Sequence, residues 1–351
     1  MDNILTEVST WLQTPACKQG SIQRRTKSVL SFIKGFIKRN ALDLERITGV
    51  KNNELLLVVD KCQASFINII SYFLKGIHYD AISSAYAFVK DFSPSVLPTG
   101  ARLYKARESH SNYLYGKEEM FHIPYDKRHL IGNQRFSVSG LPCLYLASSS
   151  YVCWEELGRV DFNLCNYCGY SNQNDVLIYD FSLPLEISSL DDIKRICIAL
   201  ACSLTAERDD VFKEEYILPQ CLLQALIIKH RYYPLNQRLF AVKYLSVHIL
   251  NGDADCFEID LNDVKWVNRL YNYVFPAASG KDVGYNSLLQ KLFIQTDVTT
   301  MFKEMLLNPD KLISGDSQDV YLDSQFGLLD AFLDNKMGYK PLRKEATFLT
   351  I

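Results

Sequence analysis

Apolar side chains in the first ninety residues recur at helical spacing. Val29, Leu30, Phe32, Ile33, Phe36 and Ile37 fall at i, i+3, i+4 and i+7, and a second series runs from Leu55 to Leu74. Both predict amphipathic helices. The pattern stops at Ser93-Pro94-Ser95-Val96-Leu97-Pro98-Thr99-Gly100, where two prolines and a glycine mark a boundary. From 101 to about 250 the pattern changes: strand-like runs at Leu141 to Ala147, Val176 to Phe181 and Leu239 to Val247 are mixed with helical segments near 189–204 and 213–230. Beyond about 265 it turns helical again, with Tyr285 to Leu307 and Phe326 to Leu333 as candidates. The expected class is α+β: a helical region over 1–95, a mixed core over 100–280 and a mostly helical region over 281–351. Strands and helices do not alternate as a doubly wound sheet requires, and no Gly-x-Gly-x-x-Gly or Walker-type loop is present.

The chain has 351 residues, 48% hydrophobic and 22% charged, with a net charge of −2. These are the proportions of an ordinary globular protein, able to fold without disulfides or structural metals. Met1-Asp2-Asn3-Ile4-Leu5-Thr6-Glu7 lacks the basic start of a secretion signal, and no 18 consecutive residues are apolar. The expectation is a cytoplasmic chain with no membrane span and reduced cysteines. Cys165 and Cys168 have metal-type spacing, but no second pair follows at matched spacing, so no metal site is expected. The near-zero net charge hides unlike regions. Lys18 to Lys51 holds nine basic and two acidic residues, and Asp297 to Lys336 holds eight acidic and three basic ones. The basic stretch suits a solvated helix face, a nucleic acid, an acidic partner or a membrane surface, or the acidic helices of the same chain or of a second copy.

The passage richest in candidate chemistry is Arg135-Phe136-Ser137-Val138-Ser139-Gly140-Leu141-Pro142-Cys143-Leu144-Tyr145-Leu146-Ala147, followed by Glu155-Glu156. An arginine precedes a turn, the turn enters an apolar strand, and a carboxylate follows in what is expected to be the first turns of a helix. This resembles the RES-domain family, in which Leu-Tyr-Leu-Ala is followed about nine residues later by a glutamate; nine after Ala147 is Glu156. Leu103-Tyr104-Lys105-Ala106-Arg107 looks like the family's opening strand. Tyr216-Ile217-Leu218-Pro219-Gln220 and Ala241-Val242-Lys243-Tyr244-Leu245-Ser246 resemble the helix and late strand that supply its serine. The resemblance covers about 100–280, and the N-terminal helices resemble those of the longer members. Two departures stand out. Lys105 takes the place of the family arginine, with Arg107 two residues on, and the turn is Ser137-Val138-Ser139 where an Asn-Pro pairing is usual.

The resemblance implies a fold related to ADP-ribosyltransferase toxins and cleavage of the nicotinamide–ribose bond of NAD, which is substrate and not cofactor, with water, inorganic phosphate, or a protein side chain or small molecule as the acceptor. It implies a toxin or defence effector restrained by an inhibitory partner, an assembly of copies or a trigger. Nicotinamide leaves from a cationic pyridinium through an oxocarbenium-like transition state, so a fixed carboxylate near the ribose, Glu156, is the catalytic candidate. Lys105 or Arg107, with Arg135, would neutralise the pyrophosphate. Alternation along a strand puts Lys105 and Arg107 on one face. Ser246 would bond the ribose or the nicotinamide amide, and Tyr104 or Tyr145 would offer an aromatic face. Each has a structural alternative: Glu155 by a one-residue slip, a surface ion pair for Arg135, core packing for Tyr145, a strand-end role for Ser246. The histidines, His122 and His129 among them, are expected to cap, pack or face solvent. The rival to an enzyme is an interaction protein that has lost catalysis and binds nucleic acid or a protein through its basic helices.

Overall fold

The computed structural model describes residues 4–12, 14–110, 113–207, 210–234, 238–250, 263–279, 281–300 and 321–337. Its helices are α1 (Ile4–Leu12), α2 (Pro15–Lys18), α3 (Ile22–Arg39), α4 (Ala41–Thr48), α5 (Asn52–Leu74), α6 (His78–Val89), α7 (Ser150–Glu156), α8 (Leu190–Ala201), α9 (Ile217–Arg231), α10 (Val247–Leu250), α11 (Val264–Asn268), α12 (Ser287–Leu292) and α13 (Gln325–Lys336). The strands are β1 (Ser95–Leu97), β2 (Arg102–Glu108), β3 (Cys143–Ala147), β4 (Cys165–Asn172), β5 (Val176–Asp180), β6 (Phe240–Leu245), β7 (Tyr271–Pro276), β8 (Phe293–Gln295) and β9 (Thr299–Thr300). The fold is α+β with helical flanks.

The strands form one mixed sheet in the order β1-β5-β6-β7-β3-β2-β4-β8, with β9 also on β4. β5 and β6 run parallel, and α8 and α9 fill the connection between them. β2 pairs along its length with β4, from Arg102 opposite Ser171 to Glu108 opposite Cys165, but meets β3 only where Tyr104 faces Ala147. The sheet therefore parts between β2 and β3.

The two helical periodicities fall within α3 and α5. Ser21 caps α3 by accepting from the Arg24 amide, and the buried face of that helix carries Val29, Leu30, Ile33, Phe36 and Ile37. This face packs on α5 and α8, while α5 also packs on α6 and α9. By length and composition α5 is apolar enough to cross a membrane, but here Leu55, Val59, Cys62, Phe66, Ile69 and Ile70 form its buried face. A salt bridge ties this layer to the rest of the chain: Arg25 pairs with Glu215, with only 7% and 9% of their side chains exposed. Arg25 also donates to Cys17 O and Thr205 O, both at 2.6 Å.

Several expectations are corrected. The Pro-rich boundary carries β1, an edge strand on β5. The expected helix from Tyr285 to Leu307 is a short α12 followed by β8 and β9, which pair with β4; 301–307 lie outside the described residues. Segment 281–300 thus adds strands to the sheet. Glu156 ends α7 instead of opening it. Among the described residues, the acidic C-terminal side chains do not meet the basic N-terminal helices: Asp334 pairs with Arg102, Asp297 with Lys117. Cys165 and Cys168 lie three apart on β4, so their thiols project to opposite faces.

Breaking a buried ion pair strands the remaining charge. Arg25→Ala should cost about 3–5 kcal/mol in denaturant unfolding, whereas Lys34→Ala, at the more exposed Lys34–Asp60 pair, should cost about 1 kcal/mol or less. Equal losses would mean that apolar packing alone holds the layer.

Candidate active site

The parting of β2 from β3 opens a cavity of about 450 Å³, within the usual range for small-molecule sites. Strand ends shape it. The Ser148 amide donates to Tyr271 O at 2.9 Å, Ser148 Oγ accepts from the Tyr271 amide at 2.9 Å, and the Ser246 amide donates to Leu270 O at 2.9 Å. Ser149 caps α7 by accepting from the Val152 amide and donates to Arg269 O at 2.7 Å. These bonds join the ends of β3, β6 and β7 and start α7 across them, so that its last residue, Glu156, returns to the cavity.

There the carboxylate is gripped. Its Oε1 accepts from Ser246 Oγ and from Asn272 Nδ2, both at 2.7 Å. Its Oε2 lies 3.9 Å from His248 Nε2. Ser246 is fully buried and Asn272 nearly so, while the Glu156 side chain keeps 33% of its surface exposed. Bonds of this length hold the carboxyl group in place at the edge of the cavity. Neighbouring Glu155 turns the other way: it is 2% exposed, and its Oε2 accepts from Arg159 Nε at 3.0 Å.

Two cations line the same cavity. Lys105 Nζ donates to Phe121 O at 2.9 Å. Burial, and then the nearby Arg107 charge, lower the Lys105 pKa to about 8. Arg135 Nη1 donates to Cys202 O at 2.6 Å and Leu204 O at 3.0 Å, and its guanidinium lies 5.0 Å from the centre of the Tyr216 ring. Neither cation has a carboxylate partner among the described residues. His122 also lines the wall; its Nε2 accepts from the Asn286 amide at 2.9 Å, and burial lowers its pKa to about 4, so it is neutral.

The structure thus brings Lys105, Arg135, Tyr145 and Glu156 to one cavity, with Ser246 bonded to Glu156. It does not bring Arg107 there. That side chain is exposed, lies over the Tyr115 ring at 4.2 Å and donates to Glu119 O at 2.9 Å. Tyr104 reaches the lining, but its hydroxyl donates away to Asp334 at 2.9 Å. Asn272 and His248 were not among the expected site residues. Asn272 had a signal, as a lone amide in the apolar run Tyr271-Asn272-Tyr273-Val274-Phe275; His248 had only its position two after Ser246.

Behind the site, α13 supports α7. Asp330 accepts from the Ser150 amide at 3.1 Å and from the Tyr321 hydroxyl at 2.6 Å. Gly327, packed on the 321–322 backbone, leaves no room for a Cβ. Desolvation dominates at Asp330 and raises its pKa to about 7, against the two donors.

The chain is 31% identical over 266 residues to a protein of Bacillus subtilis (strain 168) named "Putative toxin YopC", over 66% of this chain and 56% of that protein. It therefore spans little more than half the length of the curated relative it matches. No family model and no solved structure matches the chain.

The folded chain holds the Asp330 proton to higher pH than the unfolded one. The contribution of this group to stability is therefore full below about pH 4 and lost as pH rises through about 7. Asp330→Asn removes the titration, so the melting temperature of the wild type relative to this variant should fall between pH 5 and pH 8. A pH-independent difference would show that the carboxylate is ionised throughout.

Proposed function

We propose that the chain is a toxin-like enzyme that cleaves the nicotinamide–ribose bond of NAD. The observation that carries this reading is the carboxylate of Glu156, held on Oε1 by Ser246 and Asn272 at the edge of a cavity that also holds Lys105 and Arg135. The C1′–N bond breaks with its electron pair leaving on nicotinamide, which becomes neutral, so the leaving group needs no proton. Positive charge grows on the ribose carbon, and a preorganised carboxylate beside it stabilises that charge without reorganising. The two cations, which have no carboxylate partner among the described residues, match the two negative charges of a pyrophosphate. Lys105 serves as a point charge; Arg135 already spends one amino group on two backbone carbonyls and contributes its remaining donors. A mainly apolar wall with Tyr145 and Tyr244 suits a flat ring. The name of the relative from Bacillus subtilis supports a toxic outcome, and depletion of NAD would supply one.

Nicotinamide release from NAD by the purified chain tests this. Glu156→Gln should lower turnover at least about a hundredfold with little change in melting temperature. Glu155→Gln, which takes the charge partner from Arg159, should lower the melting temperature and leave turnover per folded molecule close to wild type. Absence of release by the folded wild type would refute the reading; equal turnover losses at both positions would remove Glu156 from its role.

A further inference from the structure

His248 lines the same cavity, with 54% of its side chain exposed, and its Nε2 lies 3.9 Å from Glu156 Oε2. That gap is too long for a direct hydrogen bond. It matches two groups that share one bridging oxygen, each at hydrogen-bond distance. Ser246 and Asn272 occupy Glu156 Oε1, which leaves Oε2 and the imidazole as the pair open to a small molecule arriving from solvent. Glu156 is already committed as a fixed anion to the charge growing on the ribose. A carboxylate that took the acceptor's proton would lose that charge as bond making proceeds.

Resting on the NAD-cleaving reading, we infer that His248 is the general base for the acceptor, and that the acceptor is a neutral O–H nucleophile, water in the first instance. In the step, the acceptor oxygen bonds to C1′ as the C1′–N bond breaks. The acceptor proton passes to His248 Nε2 and then to solvent. The products are ADP-ribose, nicotinamide and one proton. A phosphate dianion brings its own negative oxygen and needs no such base, so a base poised here selects hydrolysis over phosphorolysis.

The other groups of the cavity able to carry charge near neutral pH are Glu156 on α7, Lys105 on β2, and Arg135 and His122 on the connection between β2 and β3. His122 is held neutral, and burial keeps Tyr145 and Tyr244 protonated. A general base works only in its unprotonated form, so an acid limb of kcat/KM is the readout of that role. The alkaline limb belongs to Lys105, which loses its charge near 8 and with it the attraction for the pyrophosphate.

The test follows nicotinamide and ribosyl products from NAD against pH, with and without inorganic phosphate, for the wild-type chain, His248→Gln and His248→Ala. NAD binding is measured by calorimetry, and melting temperature serves as the folding check. The expected result is ADP-ribose as the product with or without phosphate. His248→Gln should turn over about a hundredfold more slowly, with NAD affinity within about threefold of wild type and no acid limb, and added imidazole should restore part of the rate to His248→Ala. The inference is overturned by His248→Gln retaining wild-type turnover and pH profile, by loss of NAD binding along with turnover, or by ADP-ribose 1″-phosphate as the main product when phosphate is present. In each of those cases wild-type nicotinamide release leaves the NAD reading standing. No release by the wild type overturns both.

Discussion

Adjacent strands normally satisfy each other's backbone along their length, yet β2 and β3 share one pair, Tyr104 with Ala147. Beyond it the strands part, and their inner edges need other partners. On the side of β3 away from the split, Ser148 bonds both ways to Tyr271 and Ser149 reaches Arg269 O, while at the split the Lys105 side chain reaches across to Phe121 O. The bonds that tie the ends of β3 and β7 beside the split also deliver the polar groups of the site. Glu156, Ser246 and Asn272 meet because α7, the end of β6 and the start of β7 are joined beside that split. The cavity is thus where the sheet cannot close.

The electrostatics follow from how each buried cation is compensated. Lys243, on β6, lies 3.3 Å from Asp180, which also takes Arg195 at 3.0 Å, so that cluster holds its own counterion. Lys105 and Arg135 instead meet only carbonyl oxygens among the described residues. Carbonyl dipoles orient a cation but leave its net charge in place. The carboxylate of the cavity, Glu156, has its inner oxygen saturated by neutral donors. Two cations and one carboxylate therefore line the same cavity, which on the proposed reading would complement a dinucleotide with anionic phosphates at one end and a cationic ring at the other.

Much of this was legible in the sequence wherever one face of an element is buried and the other wet. The helices α3 and α5 show that alternation, while β3, β5 and the almost wholly buried β6 were legible as aliphatic runs. β4 escaped because every one of its residues is buried, so Cys165-Asn166-Tyr167-Cys168-Gly169-Tyr170-Ser171-Asn172 has no polar face to alternate with and too few aliphatic side chains to register as an apolar run. β1 escaped because its flanking prolines read as a break, although an edge strand tolerates them. Strand alternation put Lys105 and Arg107 on one face but could not separate them. That took the tertiary structure, in which the Phe121 loop covers Lys105 and leaves Arg107 to stack on Tyr115 outside. The arrangement around Glu156 was half legible: Ser246 lies in a recognisable strand end, whereas Asn272 and His248 matter only through chain crossings that no local pattern encodes.

The N-terminal helices are more than a neighbour of this site. Arg25 of α3 holds Thr205 O, and Arg135 of the cavity holds Cys202 O and Leu204 O, so one short turn after α8 is gripped from the helical layer and from the site at once. Glu215, the buried partner of Arg25, immediately precedes Tyr216, whose ring lies beneath the Arg135 guanidinium. A displacement of α3 against α8 would leave Glu215 as an uncompensated buried charge, and it would move the two carbonyls that aim Arg135. The position of the cavity's arginine is therefore set by the packing of a layer that contributes no residue to its lining. Removing the first ninety residues would not leave a smaller intact site: it would leave Arg135 attached to a turn that had lost half its anchorage.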